Sequence, residues 1–461
     1  MSRDFDAFLA WCVENGATIR VGDLEFAART AAGESLERLA PNANRGVMAS
    51  TSLPMHAALA IIPFAMCLTA KNSGRPEVME SIVSKARKSK LDASWLCVVS
   101  SALSIERWLG AESRFYAYDR ILPRKEPNVV SLWTVDERRY LSGTEVEMSL
   151  RDEFTAAKRE WEDVVTPCFD EYGIECAFED YHAARTVVSS RAFTVSPNDG
   201  VGLVPIADAF NHRTGGHDVN VGDGGAVTTV DGDTLCVRIT KEDGVKEGDE
   251  IFNTYGFLGN AKLLNSYGFT QEHNPADEVS INTANIRAAA ALAGFSGAQI
   301  SNRFDWIESS GLCASDASFT IGTDLELSID ILAVVWACVV HDDIFHKFRH
   351  TSRRDDALST IETIARAKGE GTNDKPTLTK SVADVLRRTI ERRLSLYIDP
   401  PSRVERSENE RLESVARLIA SERHIFHSIL DRLESTHVAN KTEHQSNKKI
   451  KVETDAFALF D

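Results

Sequence analysis

The chain has 461 residues, a hydrophobic fraction of 43% and a formal net charge of −17 at pH 7. This length exceeds one ordinary hydrophobic core, so two or more domains are expected. The acidic balance argues against direct binding of nucleic acid, which needs clustered Lys and Arg, and it favours a basic polypeptide as partner. We expect no membrane segment, because the longest apolar stretch, 57–70, is short and contains Pro63. We also expect no signal peptide, because Arg3, Asp4 and Asp6 lie at the start.

The cysteines form no CxxC pair and no close cluster with histidine. This pattern argues against a zinc site and a disulfide framework, and no metal is expected. Free thiols suit a reducing compartment, so the sequence predicts a cytoplasmic or nuclear protein. The eight residues are Cys12, Cys67, Cys97, Cys168, Cys176, Cys236, Cys313 and Cys338.

The first predicted element is a helix, in which Phe5, Phe8 and Cys12 recur at helical spacing. A strand-and-turn region follows, and a glycine turn over 42–46 leads into a short strand that ends at Ala49. Residues from about 92 to 184 are mainly helical, beginning with the apolar face of Leu96 and its neighbours. The segment from 186 to 270 predicts strands and hairpins throughout, including a β-type run over 186–190.

After residue 275 the pattern turns helical and stays so, with the clearest periodicity over 382–397 and 411–433. From 438 onward the chain is polar and charged, which predicts a disordered tail. Its segment Lys448-Lys449-Ile450-Lys451 is either a nuclear-import patch or an ordinary solvated tail. The layout therefore predicts an α+β domain over 1–275, an all-helical domain over 276–437 and a tail over 438–461.

Two polar segments interrupt the predicted β region. The first ends in Asn211-His212 after an apolar run, and the second is Gly248-Asp-Glu250-Ile-Phe-Asn253-Thr-Tyr255-Gly256, followed by Tyr267-Gly268-Phe269. Taken alone, Asn211-His212 is either a plain turn or a loop that offers hydrogen bonds to an adenine edge or a carboxylate. Likewise, Tyr255 is either a packed core aromatic or a functional hydroxyl.

Taken together, these segments resemble the SET-domain protein-lysine methyltransferases, in the branch of the Rubisco large-subunit methyltransferase and its relatives that methylate ribosomal proteins. Five motifs occur in the family's order along nearly the whole chain. They are Asn44-Arg45-Gly46-Val47-Met48-Ala49, the helical stretch from Ser104-Ile-Glu106 to Leu132-Trp133, Ser189-Ser190-Arg191-Ala-Phe193, the Asp208-x-x-Asn211-His212 and Asn253-x-Tyr255-Gly256 segments, and the helices from Arg387 onward with Ser421-Glu422-Arg423.

The resemblance implies a SET β-fold with a knot-like crossing and a helical insertion over about 92–184, followed by an all-helical substrate-binding domain. It implies S-adenosylmethionine as cofactor and a lysine side chain of a protein as methyl acceptor. The family pattern assigns cofactor binding to the 45–48 backbone and to four side chains, and it assigns Tyr255 the catalytic role beside the transferring methyl. The residues concerned are Arg45, Gly46, Val47 and Met48, then Arg191, Asn211, His212 and Tyr255, with Tyr267 and Phe269 as walls of the lysine channel.

The sequence leaves alternatives for the role of Asp208 and for the substrate class. Asp208 either anchors its loop through backbone hydrogen bonds or contacts a ligand. Many family members carry a second glycine near Gly46, which this chain lacks. The Cys-rich segment of many histone-directed enzymes is also absent, which favours a non-histone substrate such as a ribosomal protein or translation factor. Two alternatives remain, namely a protein-histidine methyltransferase of the same fold and a catalytically silent partner-binding module. The sequence does not indicate the oligomeric state.

Overall fold

The computed structural model describes residues 3–20, 22–28, 45–89, 94–220, 233–342, 345–346, 358, 380–402 and 409–446. The chain divides into two compact units, one formed by Met1–Thr134 with Met148–Pro275 and the other by Val135–Glu147 with Ala276–Asp461. The division after Pro275 falls where the sequence pattern changes. The segment Val135–Glu147 belongs with the second unit, although the helical pattern over about 92–184 predicted it within the insertion of the first domain.

The helices account for most of the regular structure, and a single π-helical turn, Trp161–Val165, joins two of them. In chain order they are α1 Arg3–Glu14, α2 Pro76–Lys88, α3 Ser94–Leu109, α4 Tyr116–Asp119, α5 Val135–Arg138, α6 Glu145–Glu160, α7 Thr166–Tyr172, α8 Phe178–Arg191, α9 Asn260–Tyr267, α10 Thr283–Leu292, α11 Gly297–Ser309, α12 Ile329–Val339, α13 Lys380–Leu394 and α14 Glu410–Ser446.

Among the described residues the strands are short and form four small antiparallel sheets, in the orders β1-β4-β8-β7, β2-β3-β9, β5-β6 and β10-β11. Their bounds are β1 Thr18–Ile19, β2 Leu24–Ala28, β3 Arg45–Ala49, β4 Ala58–Pro63, β5 Ala192–Ser196, β6 Gly200–Leu203, β7 Val219–Asn220, β8 Thr234–Ile239, β9 Glu250–Ile251, β10 Glu278–Asn282 and β11 Ser318–Gly322.

The first unit has one continuous core beneath its sheets and helices. Phe5, Phe8 and Cys12 of α1 are all buried, as their helical spacing predicts. The helices of the insertion pack on the same core, where Tyr118 and Val187 are fully buried. Residues of the strands and of the helices thus share one core, as expected for packed layers of secondary structure.

The β-type run predicted over 186–190 is wrong, because these residues are the last turns of α8. Val187 and Val188 are fully buried there, and α8 packs along α3. The hydroxyl of Ser190 donates to the carbonyl of Thr186, which satisfies this side chain inside the helix. Burial of the valines on a helical face therefore outweighs the modest β-preference of Val and Thr. The helix α9 is a second departure from the prediction of strands throughout 186–270.

The second unit is not all-helical, which corrects that prediction. Its strands β10 and β11 pair over five residues each, from Glu278↔Gly322 to Asn282↔Ser318. Val279, Ile281 and Ile321 alternate with polar residues and are buried, the pattern of a half-buried strand. The strands lie far apart in sequence, with α10 and α11 between them, so no hairpin signal marked the pairing.

Arg393 of α13 explains why Val135–Glu147 joins the second unit. Its Nη1 donates to the carbonyl of Gly143, and its Nη2 lies 2.5 Å from Oε1 of Glu145. Arg411 and Glu137 form a further ion pair of 2.8 Å. Arginine side chains of this kind hold a segment by several directed bonds at once.

The helix α14 extends to Ser446, so the backbone over 438–446 is helical where a disordered tail was predicted. The rest of the predicted tail, with Lys448 to Lys451, lies outside the described residues. Across the described ranges, no helix is both long enough and apolar enough to cross a membrane.

Candidate active site

The strand β3 is the centre of its sheet and carries the predicted cofactor-binding residues. It pairs with β2 along its whole length, from Leu24↔Ala49 to Ala28↔Arg45, but with β9 only at Val47↔Ile251 and Met48↔Glu250. Within the described sheet, the Arg45–Gly46 end of β3 is therefore not covered by β9. The structure describes only the backbone of Arg45, and Asn44 lies outside the described residues. Val47 and Met48 point into the protein, so the predicted contacts are left to backbone atoms.

The segment with Asn211 and His212 runs parallel to the residues that follow β9. A parallel bridge joins His212 and Asn253. The amide of Asn253 donates to the carbonyl of Asn211 at 2.8 Å, and the amide of Arg213 donates to the carbonyl of Asn253 at 2.9 Å. Residues 41 positions apart in sequence, His212 and Asn253, are thus held side by side, and this pairing brings Asn211 next to Gly46 of β3.

Asn211, Glu250 and Gly46 meet at this point. The side-chain amide of Asn211 donates to Oε1 of Glu250 at 2.7 Å. A Cβ atom added to Gly46 would lie 2.5 Å from that same Oε1 and 3.1 Å from Nδ2 of Asn211. The absence of a side chain at residue 46 therefore makes room for the Asn211–Glu250 contact.

His212 is held in one tautomer by its neighbours. The backbone N–H of Tyr255 donates to Nδ1 at 2.9 Å, so the ring proton is on Nε2, which faces Oγ1 of Thr214 at 2.7 Å. The Thr214 hydroxyl donates onward to the carbonyl of Leu258. Burial lowers the pKa of His212 to about 4, with a further contribution from His217. The imidazole is therefore neutral at pH 7 and fixes the backbone of Tyr255.

Three aromatic rings form a continuous group with this histidine. The ring of Tyr255 stacks on His212 with centroids 4.8 Å apart and on Tyr267 with centroids 4.9 Å apart. Phe269 lies 6.1 Å from His212 and 6.4 Å from Tyr267. The hydroxyl of Tyr255 donates to the carbonyl of Phe210 at 3.1 Å, and burial raises its pKa. Tyr255 is thus a neutral phenol, and donation to Phe210 leaves its oxygen lone pairs as acceptors.

Arg191 lies at the end of α8, close to this group. Its Nε donates to Oε1 of Glu126 at 2.7 Å, and its Nη1 donates to the carbonyl of Asp208 at 3.1 Å. The Asp208 carboxylate accepts the buried hydroxyl of Tyr118 at 2.9 Å. The side chain of Asp208 therefore contacts the insertion, and its backbone amide also donates to the carbonyl of Val204 at 3.3 Å, a backbone bond of the kind expected from the sequence. The side chain of Arg191 is 28% exposed, and its Nε and Nη1 are held by Glu126 and Asp208.

The loop that carries Asp208 begins with strained backbone. Ile206 has φ 74° and ψ −48°, a conformation that β-branched residues rarely adopt, and its side chain is 1% exposed. Such strain persists where surrounding packing over-determines the backbone, and it is concentrated at functional sites. Here it turns the chain from β6 toward Asn211.

S-adenosylmethionine combines an adenine, a cationic sulfonium, an ammonium and a carboxylate, and the residues present suit these groups. The end of β3 that β9 does not cover offers backbone donors and acceptors, beside the Asn211 amide that packs over Gly46. Arg191 offers a guanidinium for a carboxylate. The hydroxyl oxygen of Tyr255 keeps lone pairs that suit the polarised C–H groups of a sulfonium methyl. The described residues contain no group of three or more His, Cys, Asp or Glu that could hold a metal ion.

The structure brings all the sequence-predicted residues into the first unit, and it adds others. Glu250 was part of a segment singled out from the sequence, but nothing in the spacing indicated that it contacts Asn211. Glu126 and Tyr118 come from the insertion and meet Arg191 and Asp208 only through the tertiary fold. Thr214 could have been suspected from its place two residues after His212. The roles assigned to the individual site residues stay predictions.

Comparisons with known proteins agree with this geometry. No family model matches the chain. Human N-lysine methyltransferase SETD6 is 26% identical over 212 residues, 42% of each chain, so this chain spans less than half of that relative. The bovine protein of the same name is 23% identical over 414 residues, which cover 85% of this chain and 84% of the relative. The ribosomal lysine N-methyltransferase set10 of Schizosaccharomyces pombe is 27% identical over 40% of this chain and 32% of its own.

Solved structures of the Rubisco large-subunit methyltransferase (LSMT) have the same fold. A structure described as Rubisco LSMT bound to AdoMet superposes with a TM-score of 0.67 at 17% identity, over 99% of both chains. The LSMT SET domain bound to lysine and AdoHcy gives a TM-score of 0.67 at 19% identity, over 95% of this chain and 92% of the other. The α+β fold class is thereby confirmed, and the fold is that of the SET-domain methyltransferases. Together with the sequence relatives, this confirms the resemblance to the LSMT-like branch of SET-domain lysine methyltransferases.

Proposed function

We propose that this protein is an S-adenosylmethionine-dependent protein-lysine N-methyltransferase. The observation that carries the proposal is the convergence of the Arg45–Gly46 end of β3, Asn211 and the Tyr255 ring group at one place in a SET fold. Sequence relatives named as lysine methyltransferases and fold neighbours bound to AdoMet or AdoHcy support it. A catalytically silent module would be expected to have lost Tyr255 or Asn211-His212. All three residues are present in this chain.

The chemistry needs alignment, exclusion of water and a neutral amine. S-adenosylmethionine, when bound, supplies an electrophilic methyl group on a sulfonium. In this proposal Asn211, Arg191 and the 45–48 backbone hold the cofactor, and Tyr267 and Phe269 wall the lysine channel. Tyr255 orients the acceptor nitrogen through the lone pairs of its hydroxyl, because its own proton is donated to Phe210. Contacts to methyl C–H groups contribute about 0.5–1 kcal/mol each, so they align rather than drive the transfer.

No dedicated general base is needed for this reaction. A lysine ammonium has a reference pKa of about 10.4, and an apolar channel next to a cation lowers that pKa. The proton is then lost to water before the transfer. Tyr255 does not take up this proton, because burial raises the pKa of its hydroxyl and keeps it protonated. The hydroxyl donates its proton in a hydrogen bond to the carbonyl of Phe210.

The proposed substrate is a basic non-histone protein, such as a ribosomal protein or a translation factor. The net charge of −17 favours basic partners, and one relative is named a ribosomal lysine methyltransferase. We also propose a cytoplasmic or nuclear location, because all eight cysteines are free thiols.

The test is transfer of labelled methyl from S-adenosylmethionine into fractionated cell extract, by the wild type and by Tyr255→Phe. We expect one or more labelled proteins with the wild type, with label on lysine after digestion. Tyr255→Phe is expected to reduce the label about a hundredfold, because misalignment of reactants is costly, while cofactor affinity changes by less than about threefold.

Tyr116→Phe is the matched control, because Tyr116 lies in α4 with 43% of its side chain exposed. It should label like the wild type. Label on histidine would show a histidine methyltransferase of the same fold instead. Loss of both label and cofactor binding in the wild type would refute the proposal and favour a partner-binding module.

A further inference from the structure

Glu250 occupies the position in β9 from which a side chain can reach two predicted cofactor-binding segments at once. It is paired opposite Met48 in an antiparallel ladder, so the two side chains lie on the same face of the sheet. Residues two apart on a strand share a face, so a side chain at position 46 would lie on the same face as Met48. Glycine at this position leaves a gap there. The carboxylate of Glu250 lies over this gap, 2.5 Å from where a Cβ of residue 46 would be.

The contact between Glu250 and Asn211 decides which way the Asn211 amide faces. Nδ2 of Asn211 donates to Oε1 of Glu250 at 2.7 Å, a distance typical of a charge-assisted hydrogen bond. A carboxylate accepts and cannot donate, so an amide turned by 180° would place two acceptors against each other. Asn211 therefore has its carbonyl oxygen on the side away from Glu250, where it can accept from a ligand.

We propose that Glu250 is a positioning residue for the cofactor site, which fixes the orientation of the Asn211 amide so that its carbonyl accepts a hydrogen bond from the bound cofactor. The inference rests on the proposed function, because it assumes that Asn211 binds S-adenosylmethionine. Three elements contribute to this arrangement of Gly46, Glu250 and Asn211. They are the strand β3, which leaves the gap at Gly46, the strand β9, which carries the carboxylate, and the parallel segment that carries Asn211.

Two conservative substitutions separate position from charge. Glu250→Gln keeps the length of the side chain and an oxygen that accepts from Asn211, but it removes the charge. Glu250→Asp keeps the charge, but its side chain is shorter by one methylene and the carboxylate no longer reaches Asn211. Binding of S-adenosylhomocysteine to each full-length variant is measured by isothermal titration calorimetry, with kcat and KM for the cofactor where a substrate protein is in hand.

We expect Glu250→Asp to weaken S-adenosylhomocysteine binding by about tenfold or more, the usual scale for a lost hydrogen bond to a charged group, and Glu250→Gln to weaken it by less than about threefold. The loss should be in KM for the cofactor rather than in kcat. In an Asn211→Ala background, Glu250→Asp should have no further effect, because a residue that acts through Asn211 has nothing left to orient.

The matched controls are Glu247→Asp and Glu247→Gln, three residues away on an exposed turn, and both should bind like the wild type. The inference is overturned if Glu250→Gln binds weakly while Glu250→Asp binds normally, if both bind normally, or if Glu250→Asp still weakens binding after Asn211→Ala. Failure of the wild type itself to bind S-adenosylhomocysteine would instead refute the proposed function. Binding of S-adenosylhomocysteine by the wild type therefore tests the proposed function, and its binding by the variants tests the role of Glu250.

Discussion

A buried carboxyl in the second unit should make the stability of this protein depend on pH. Glu422 of α14 is 2% exposed. Its Oε2 accepts the hydroxyl of Tyr397 at 2.5 Å, and its Oε1 is buried with no hydrogen-bond partner among the described residues. Burial raises the pKa of Glu422 from its ordinary 4.5 to about 8, although the Tyr397 hydrogen bond and the Arg393 charge lower it in part.

The sign follows from the proton that the folded state retains. Between pH 4.5 and about 8 the folded protein holds a proton on Glu422 that the unfolded chain has released. The free energy of unfolding therefore decreases as pH rises through this window. The contribution is complete below pH 4.5 and is lost above about pH 8. The slope is about 1.4 kcal/mol per pH unit, and over the whole window the contribution is on the order of 5 kcal/mol.

Glu422→Gln is uncharged at every pH and still offers a carbonyl oxygen to Tyr397. Urea denaturation, followed by circular dichroism at pH values from about 6 to about 8, gives the free energy of unfolding for each protein. We expect the free energy of unfolding of the variant to decrease with pH by about 1 kcal/mol per pH unit less than that of the wild type. Glu434→Gln, an exposed position on the same helix, should keep the wild-type slope. Equal slopes for the wild type and Glu422→Gln would refute the reasoning.

Three further predictions concern the first unit. Its His212 should stay neutral, with an imidazole resonance that does not move in NMR spectra between about pH 5.5 and about pH 8, because burial lowers its pKa to about 4. Glu160→Ala should cost about 3–5 kcal/mol in urea denaturation, because it leaves Arg185, bonded to it at 2.8 Å and 7% exposed, without that buried partner. Gly268→Ala should cost more than about 2 kcal/mol, because φ is +79° and the new Cβ would lie 2.6 Å from the backbone of Asn128.

Each of these has a control within the same chain. An imidazole of His212 that titrates near its ordinary pKa of about 6.5 would contradict the buried, hydrogen-bonded arrangement. Glu162→Ala, on the exposed face beside Glu160, should change stability by less than about 0.5 kcal/mol. Gly173→Ala has a similar φ of +67° with nothing near its Cβ, so it should cost only about 1 kcal/mol. A cost as large as that of Gly268→Ala would show that conformation alone, rather than the close approach, is responsible.

Local sequence patterns determined most of the elements and the identity of the fold. Apolar spacing placed α1, α3, α13 and the start of α14, because a helix that covers a core must repeat its apolar residues every three or four positions. Alternation placed β8, since a strand turns successive side chains to opposite faces. The motifs around Arg191, Asn211-His212 and Tyr255, which occur in the family's order, carried the resemblance to the SET fold.

Only the tertiary structure decided how segments distant in sequence pair with one another. The run over 186–190 is helical because α3 buries its valines, and β10 pairs with β11 across two helices, neither of which is visible in a local window. In the same way, Asn211 meets Glu250 and Arg191 meets Glu126 over separations of 39 and 65 residues. A hydrogen bond depends on two groups at one distance and angle, and one-dimensional spacing specifies neither. The sequence therefore named candidate residues of the site, and the fold decided what each of them contacts and added Glu250, Glu126 and Tyr118.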